Sequence, residues 1–146
     1  MKATVTRIDG LSLAGKGDSG HWLTMDAAGD VGGHDAAARP MELLLMGLGG
    51  CTSMDVLAIL KKKRIHLDHY ECELEAERAG EHPKVFTRIR IKYIFYGDQI
   101  PREAVERAIE LSENSYCSAS AMFRKTAEII SEYEIRPPVK SIQDLN

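Results

Sequence analysis

Charge of one sign, long apolar runs and close-set metal ligands are all missing from this sequence, and each absence removes a class of function. A formal charge of -3 over 146 residues, with a pI near 6.0, gives no field strong enough to hold phosphate backbones or anionic lipid. Neither nucleic acid nor a membrane is therefore an expected partner. The one basic run, Lys61 to Arg64, stands where a helix would end and cations complement its dipole. The longest apolar stretch, Leu43 to Cys51, is far shorter than the roughly 20 residues needed to cross a bilayer. The N-terminal MKATVTRIDG lacks the apolar segment of a secretory signal, so the expected compartment is the cytoplasm. No low-complexity tract and no repeat of solenoid period is present. Three cysteines occur without a CxxC or HxxxH spacing; in a reducing pool a disulfide is more often catalytic or redox-sensing than structural.

What is present is the composition of a folded protein, 44% apolar and 28% charged, in a chain long enough to bury a core as one domain over residues 1–146. Residues 1–30 alternate in Lys2–Asp9 and again in Gly20–Ala27, with Gly15, Gly17 and Gly20 between, the pattern of an N-terminal antiparallel meander. Pro40 opens a helix expected over residues 40–63, with Glu42 near its positive end. The first half of that helix is apolar on every side, as in a helix surrounded by protein. His69–Ala76 and Lys84–Tyr96 alternate as strands joined by the turn Ala79–Pro83, one carrying an acidic face and the other a basic one. In the second, Val85, Thr87, Ile89, Ile91, Tyr93 and Phe95 form the expected inner face. Pro101–Asn114 is an amphipathic helix whose stripe runs through Val105, Ala108, Ile109 and Ser112. A short helix beginning at Ser118 or Ser120 and a strand over Thr126–Ile135 follow, and Pro137 starts a polar tail, 137–146. The order predicts an α+β fold with segregated elements.

The cysteine-bearing helix poses a physical question. Gly47, Gly49 and Gly50 precede Cys51, and each glycine costs a helix roughly 0.8 to 1 kcal/mol relative to alanine. Their removal of side chains lets another backbone, of this chain or a second subunit, approach the helix beside the thiol. Cys117 lies 66 positions further on, where a helix starting at Ser118 would present free N–H groups that favour thiolate. On spacing alone both residues read first as small buried hydrophobes. Cys72 falls in phase with Tyr70, Leu74 and Ala76 and is assigned to packing. Asp55, one turn beyond Cys51, would raise the thiol pKa if it faced the same cavity.

The segments RPMELLLMGLGGCTSMDV, EHPKVFTRIRIKYIF and YCSASAMFRKTAEI, in this order, resemble the OsmC/Ohr family of thiol-dependent hydroperoxide reductases, in its OsmC-like branch. The resemblance implies an α+β fold in which two chains intertwine as a homodimer, with the cysteine-bearing helices central and two sites at the subunit interface. It implies Cys51 as peroxidatic nucleophile, Cys117 as resolving thiol, an organic hydroperoxide as substrate and an external dithiol as reductant. No metal, haem or flavin enters such a cycle. The family also places a glutamate ten residues before the nucleophile and an arginine in the meander. Met41 stands at the first position, and Glu42 beside it is rotated by roughly 100°. Lys16, His21 and Arg39 are the groups that could supply positive charge, Arg39 also being a salt-bridge partner for Glu42.

Of the histidines, His66, His69 and His82 are expected in solvent, while His21 and His34 flank the segment expected to approach the thiols. Cys51, Cys117 and one histidine would suit zinc by ligand type, without support from spacing. Two alternatives share the fold: a dimer holding a small lipophilic molecule around Leu44, Leu48 and Met54, and a redox-sensing interaction protein without turnover.

Overall fold

The computed structural model describes residues 1–139; the expected polar tail lies outside the described residues from residue 140 on. The chain forms two compact units, Met1–Leu45 and Met46–Asn146.

In the N-terminal unit the alternating segments become an antiparallel meander of β1 (Ala3–Asp9), β2 (Ser12–Gly17) and β3 (Trp22–Met25), in the order β1-β2-β3. Gly10 closes the first turn with a positive φ of 51°. Val5, Ile8, Trp22 and Leu23 all remain exposed. The segment after β3 is organised by Asp26, only 2% exposed. Its carboxylate accepts backbone N–H groups from Ala27, His34 and Ala36 at 2.8, 3.0 and 3.1 Å. The Ala36 N–H, followed by those of Ala27 and His34, outweighs burial and holds the carboxyl below its usual range. Gly33 sits in this loop so close to the Ala27 carbonyl that no Cβ fits.

Helix α1 (Pro40–Lys62) leaves this unit and enters the second. Its start is closed by Glu42, whose Oε2 accepts the Arg39 backbone N–H at 2.8 Å, one half of a capping box. By length and composition α1 could span a bilayer, its most apolar 18-residue window having a mean hydropathy of 1.9. The uninterrupted apolar run is shorter because Thr52 and Ser53 break it without making the helix polar. The helix nonetheless packs on a sheet. Leu48, Gly49, Thr52, Val56 and Leu60 form its buried face, while Met46 and Met54 are 58% and 73% exposed. Among the described residues of its own unit, then, α1 is covered on one side, whereas its apolar pattern runs all round.

The sheet of the second unit has the order β4-β5-β6. Strands β4 (His69–Arg78) and β5 (Phe86–Tyr96) are an antiparallel hairpin, with Glu73, Glu75 and Glu77 opposite Lys92, Arg90 and Arg88 as their charges predict. Strand β6 (Glu128–Arg136) lies parallel to β5. A register irregularity between Glu77 and Arg78 brings Phe86 opposite Arg78. Phe86 is thus buried while Val85 and Thr87 face outward, and the expected inner face begins only at Ile89. His69 is half-buried and pairs with Glu71 at 3.3 Å rather than being solvated. Ile89, Ile91, Tyr93 and Phe95 are fully buried, together with Val105 and Ala108 of α2 (Arg102–Leu111). The parallel β5–β6 pairing requires a long crossover, and α2, a π-helical turn (Ser112–Tyr116) and α3 (Ser118–Phe123) supply it.

A methyl group at Gly33 has nowhere to go, because the obstruction is backbone. Gly33→Ala is expected to lose about 1–3 kcal/mol of stability, read as a fall in Tm by calorimetry. Gly29→Ala, with nothing within 4 Å of the new methyl, is expected to leave Tm unchanged.

Candidate active site

Three sequence features place two thiols together. Gly49 is the first. A Cβ on it would come within 2.5 Å of Leu74 Cδ1, so the glycine sets how closely α1 lies on β4. Gly47 and Gly50 have nothing within 4 Å of an added Cβ; their openness belongs to the uncovered side of the helix. The second is Ser112, a hydroxyl in an otherwise apolar stripe, fully buried. Its Oγ lies 3.0 Å from Thr52 Oγ1, which in turn lies 2.7 Å from Tyr93 OH. The third is the π-helical turn. There α2 stops being α-helical at Leu111, three residues before the amphipathic pattern ends, and the Ser112 carbonyl accepts the Cys117 N–H at 2.8 Å. Cys117 is thereby the N-cap of α3, its sulfur accepting the Ser120 N–H at 3.4 Å.

The result is a cluster in which Cys51 Sγ, Cys117 Sγ and a carboxylate oxygen of Asp55 all lie within 4.8 Å of one another. Cys117 is 3% exposed, whereas Cys51 and Asp55 are half-buried. Ser112 Oγ donates to Asp55 Oδ2 at 3.2 Å. Each hydroxyl has one proton to give, so Thr52 donates to Ser112 and Tyr93 to Thr52, forming a one-way chain that ends on the carboxylate. Burial, foremost, pushes the Tyr93 phenol upward and keeps it protonated as the head of that chain.

Opposing influences act on Cys51. The Ala119 N–H against its sulfur is the largest and lowers its pKa. Partial burial, the neighbouring Cys117 and the Asp55 charge together outweigh it, so the thiol is held above its ordinary value. Cys72 is raised by its own burial beside Ser53 and Tyr70, as a packing residue would be. A cavity of about 370 Å³ opens beside Asp55, lined by Ala58, Ile59, Leu111 and Tyr116 and by Lys62 and Lys63.

The other expected site residues belong to the N-terminal unit and have local partners. The Arg39 guanidinium donates to Asp35 Oδ1 and to the Ala37 carbonyl, while Glu42 caps α1 by accepting the Arg39 backbone N–H. Lys16 Nζ lies 5.4 Å from the centre of the Trp22 ring. His21 lines a cavity of the meander, and His34 Nδ1 is 3.3 Å from Ser12 Oγ. Thr52, Ser112 and Tyr93 were not legible as site residues. The available signal was the serine on the apolar stripe of α2.

A buried thiol facing a half-exposed one beside a carboxylate, on an α+β frame, defines a dithiol site. The family profile described as OsmC-like protein matches residues 32–132, and the chain belongs to the OsmC family. Protein YhfA of Escherichia coli K12 is 40% identical over 135 residues, covering 92% of this chain and 98% of its own. A hypothetical protein from Aquifex aeolicus VF5 superimposes with a TM-score of 0.82 at 30% identity, over 94% of this chain and 97% of its own. The organic hydroperoxide resistance protein OsmC of Legionella pneumophila shares the fold, with a TM-score of 0.66 at 15% identity over 94% of this chain and 96% of its own.

Because Asp55 disfavours the Cys51 thiolate, Asp55→Asn is expected to shift the midpoint of the Cys51 alkylation-rate profile to lower pH. Iodoacetamide labelling across the neutral and alkaline range, with Cys51 followed by peptide mass spectrometry, reads this out. A wild-type profile in the variant would remove Asp55 from the electrostatics of the thiol.

Proposed function

We propose that the protein reduces organic hydroperoxides through a two-cysteine cycle. The observation that carries this reading is the approach of the Cys51 and Cys117 sulfurs to within 4.8 Å across 66 positions of sequence. Their unequal exposure supports the division of roles. Cys51 is the half-exposed thiol and takes the peroxidatic role; Cys117, buried, takes the resolving one.

In the first step the Cys51 thiolate attacks one peroxide oxygen. The O–O bond breaks, the other oxygen leaves as alkoxide and takes up a proton to give the alcohol, and Cys51 becomes a sulfenic acid. The Cys117 sulfur then attacks the Cys51 sulfur, the S–S bond forms and the sulfenic oxygen departs as water. An external dithiol restores both thiols by exchange and is itself oxidised to a disulfide. The Ala119 N–H beside Cys51 favours the thiolate that attacks.

The chain acts as a homodimer in this reading. Met46, Gly47, Gly50 and Met54 lie along one open face of α1, and an apolar face without a partner favours association. The lipophilic-ligand alternative loses its expected lining, because Leu48 is fully buried whereas Leu44 and Met54 are exposed.

Consumption of cumene or tert-butyl hydroperoxide with dithiothreitol as reductant tests the activity. Wild-type protein is expected to turn over, Cys51→Ser to fall to background, and Cys117→Ser to accumulate a sulfenate trapped by dimedone. Equal rates for wild type and Cys51→Ser would end the proposal. Light scattering is expected to give twice the chain mass for wild type and the chain mass for Gly50→Leu, with unchanged circular dichroism. A monomeric wild type would refute the dimer.

A further inference from the structure

We propose that the reduced thiol pair and Asp55 form a binding site for a divalent cation of the zinc class, with Cys51 Sγ, Cys117 Sγ and one Asp55 oxygen as ligands. The inference is independent of hydroperoxide turnover.

The first argument is geometric. A tetrahedral zinc ion with Zn–S of about 2.3 Å and Zn–O of about 2.0–2.2 Å needs ligand atoms roughly 3.5 to 3.8 Å apart. The three atoms already lie within 4.8 Å of one another, so small side-chain rotations suffice. Cys51 and Asp55 are one turn apart on α1, and this i, i+4 spacing puts both side chains on the same face of the helix. Cys117 is fixed by the main chain, through the Ser112 carbonyl on one side and the Ser120 N–H on the other.

The second argument is what supports those ligands. Ligating carboxylates are oriented by outer hydrogen bonds, and here Ser112 donates to Asp55 Oδ2; an ionised carboxylate has lone pairs enough for that bond and a metal. Ser112 is itself held by Thr52 and, through it, by Tyr93, with Thr52 and Ser112 fully buried. Backbone N–H groups of Ala119 and Ser120 point at the two sulfurs and would share the charge of metal-bound thiolates. Among the described residues, Asp55 makes no salt bridge that would occupy it. No histidine belongs to the cluster; the Asp55 carboxylate is the third ligand in its place. Three protein ligands leave a fourth position for water.

Thiolate and carboxylate ligands together suit zinc rather than calcium or magnesium. Binding displaces the two thiol protons to solvent and leaves both sulfurs bound as thiolates. Disulfide formation and metal binding use the same electron pairs, so they exclude each other. When a hydroperoxide oxidises the sulfurs, the O–O bond breaks to alcohol and water, two protons are taken up, the S–S bond forms and the cation is released.

The test is anaerobic titration of the reduced full-length protein with Co²⁺, followed by displacement with Zn²⁺. One Co²⁺ per chain is expected, with a sulfur-to-cobalt charge-transfer band and the strong visible bands of four-coordinate cobalt. Cys51→Ser and Cys117→Ser should each remove roughly half of the charge-transfer intensity. Asp55→Ala should weaken binding by at least about tenfold, while Asp55→Glu, which keeps a carboxylate, should retain it and so separates loss of a ligand from loss of the fold. Absence of the charge-transfer band in wild type, or Asp55→Ala binding as tightly as wild type, overturns the proposal. Because no peroxide is present, a protein that binds cobalt without reducing hydroperoxides fails the preceding reading and not this one.

Discussion

The contact on which the rest of the structure turns is the buried meeting of three hydroxyls, Tyr93 on the sheet, Thr52 on α1 and Ser112 at the end of α2. A buried hydroxyl without a partner costs about 1–3 kcal/mol, so three elements are obliged to meet at one point in one register. Thr52 immediately follows Cys51, and the Ser112 carbonyl holds the Cys117 N–H. The same constraint that closes the core therefore sets the separation of the two sulfurs. The position of the dithiol site is a consequence of packing, and its chemistry is added by what the hydroxyl chain leaves at its end, the Asp55 carboxylate.

Much of the fold was legible because period-2 and period-3.6 patterns survive wherever one face of an element is buried. The acidic strand beside the basic one, the helix opened by Pro40 and the final strand over Glu128–Arg136 all lie where their alternation puts them. Legibility failed where the backbone departs from regular geometry. The irregularity at Glu77/Arg78 inverts the phase of residues 85–87, and the π-helical turn ends α2 earlier than its apolar stripe suggests. The site was half legible. The two cysteines could be named through resemblance, but the partners of Asp55 come from elements far apart in sequence, and no local pattern marks such a convergence. Charge was misleading for a related reason. Arg39 and Glu42 look available in the sequence, yet the free N–H groups at the start of a helix and the nearby Asp35 engage them first.

The three glycines before Cys51 separate into two physical roles. Gly49 lets the sheet approach α1, because Leu74 takes the space of its missing side chain. Among the described residues nothing lies within 4 Å of a Cβ added at Gly47 or Gly50, and both are on the exposed apolar side of α1. One short sequence thus carries both the internal packing of the helix and part of its uncovered apolar face. The dithiol site lies at the border between the two.

The parallel alignment of β5 and β6 has a consequence for the making of the protein. The segment carrying Cys117 belongs to the crossover between those strands, so the ribosome releases Cys51 well ahead of its companion. Through that interval Cys72 is the one other thiol the growing chain offers it. A translation product stopped short of Cys117 would hold Cys51 and Cys72 but lack the sulfur that closes the site.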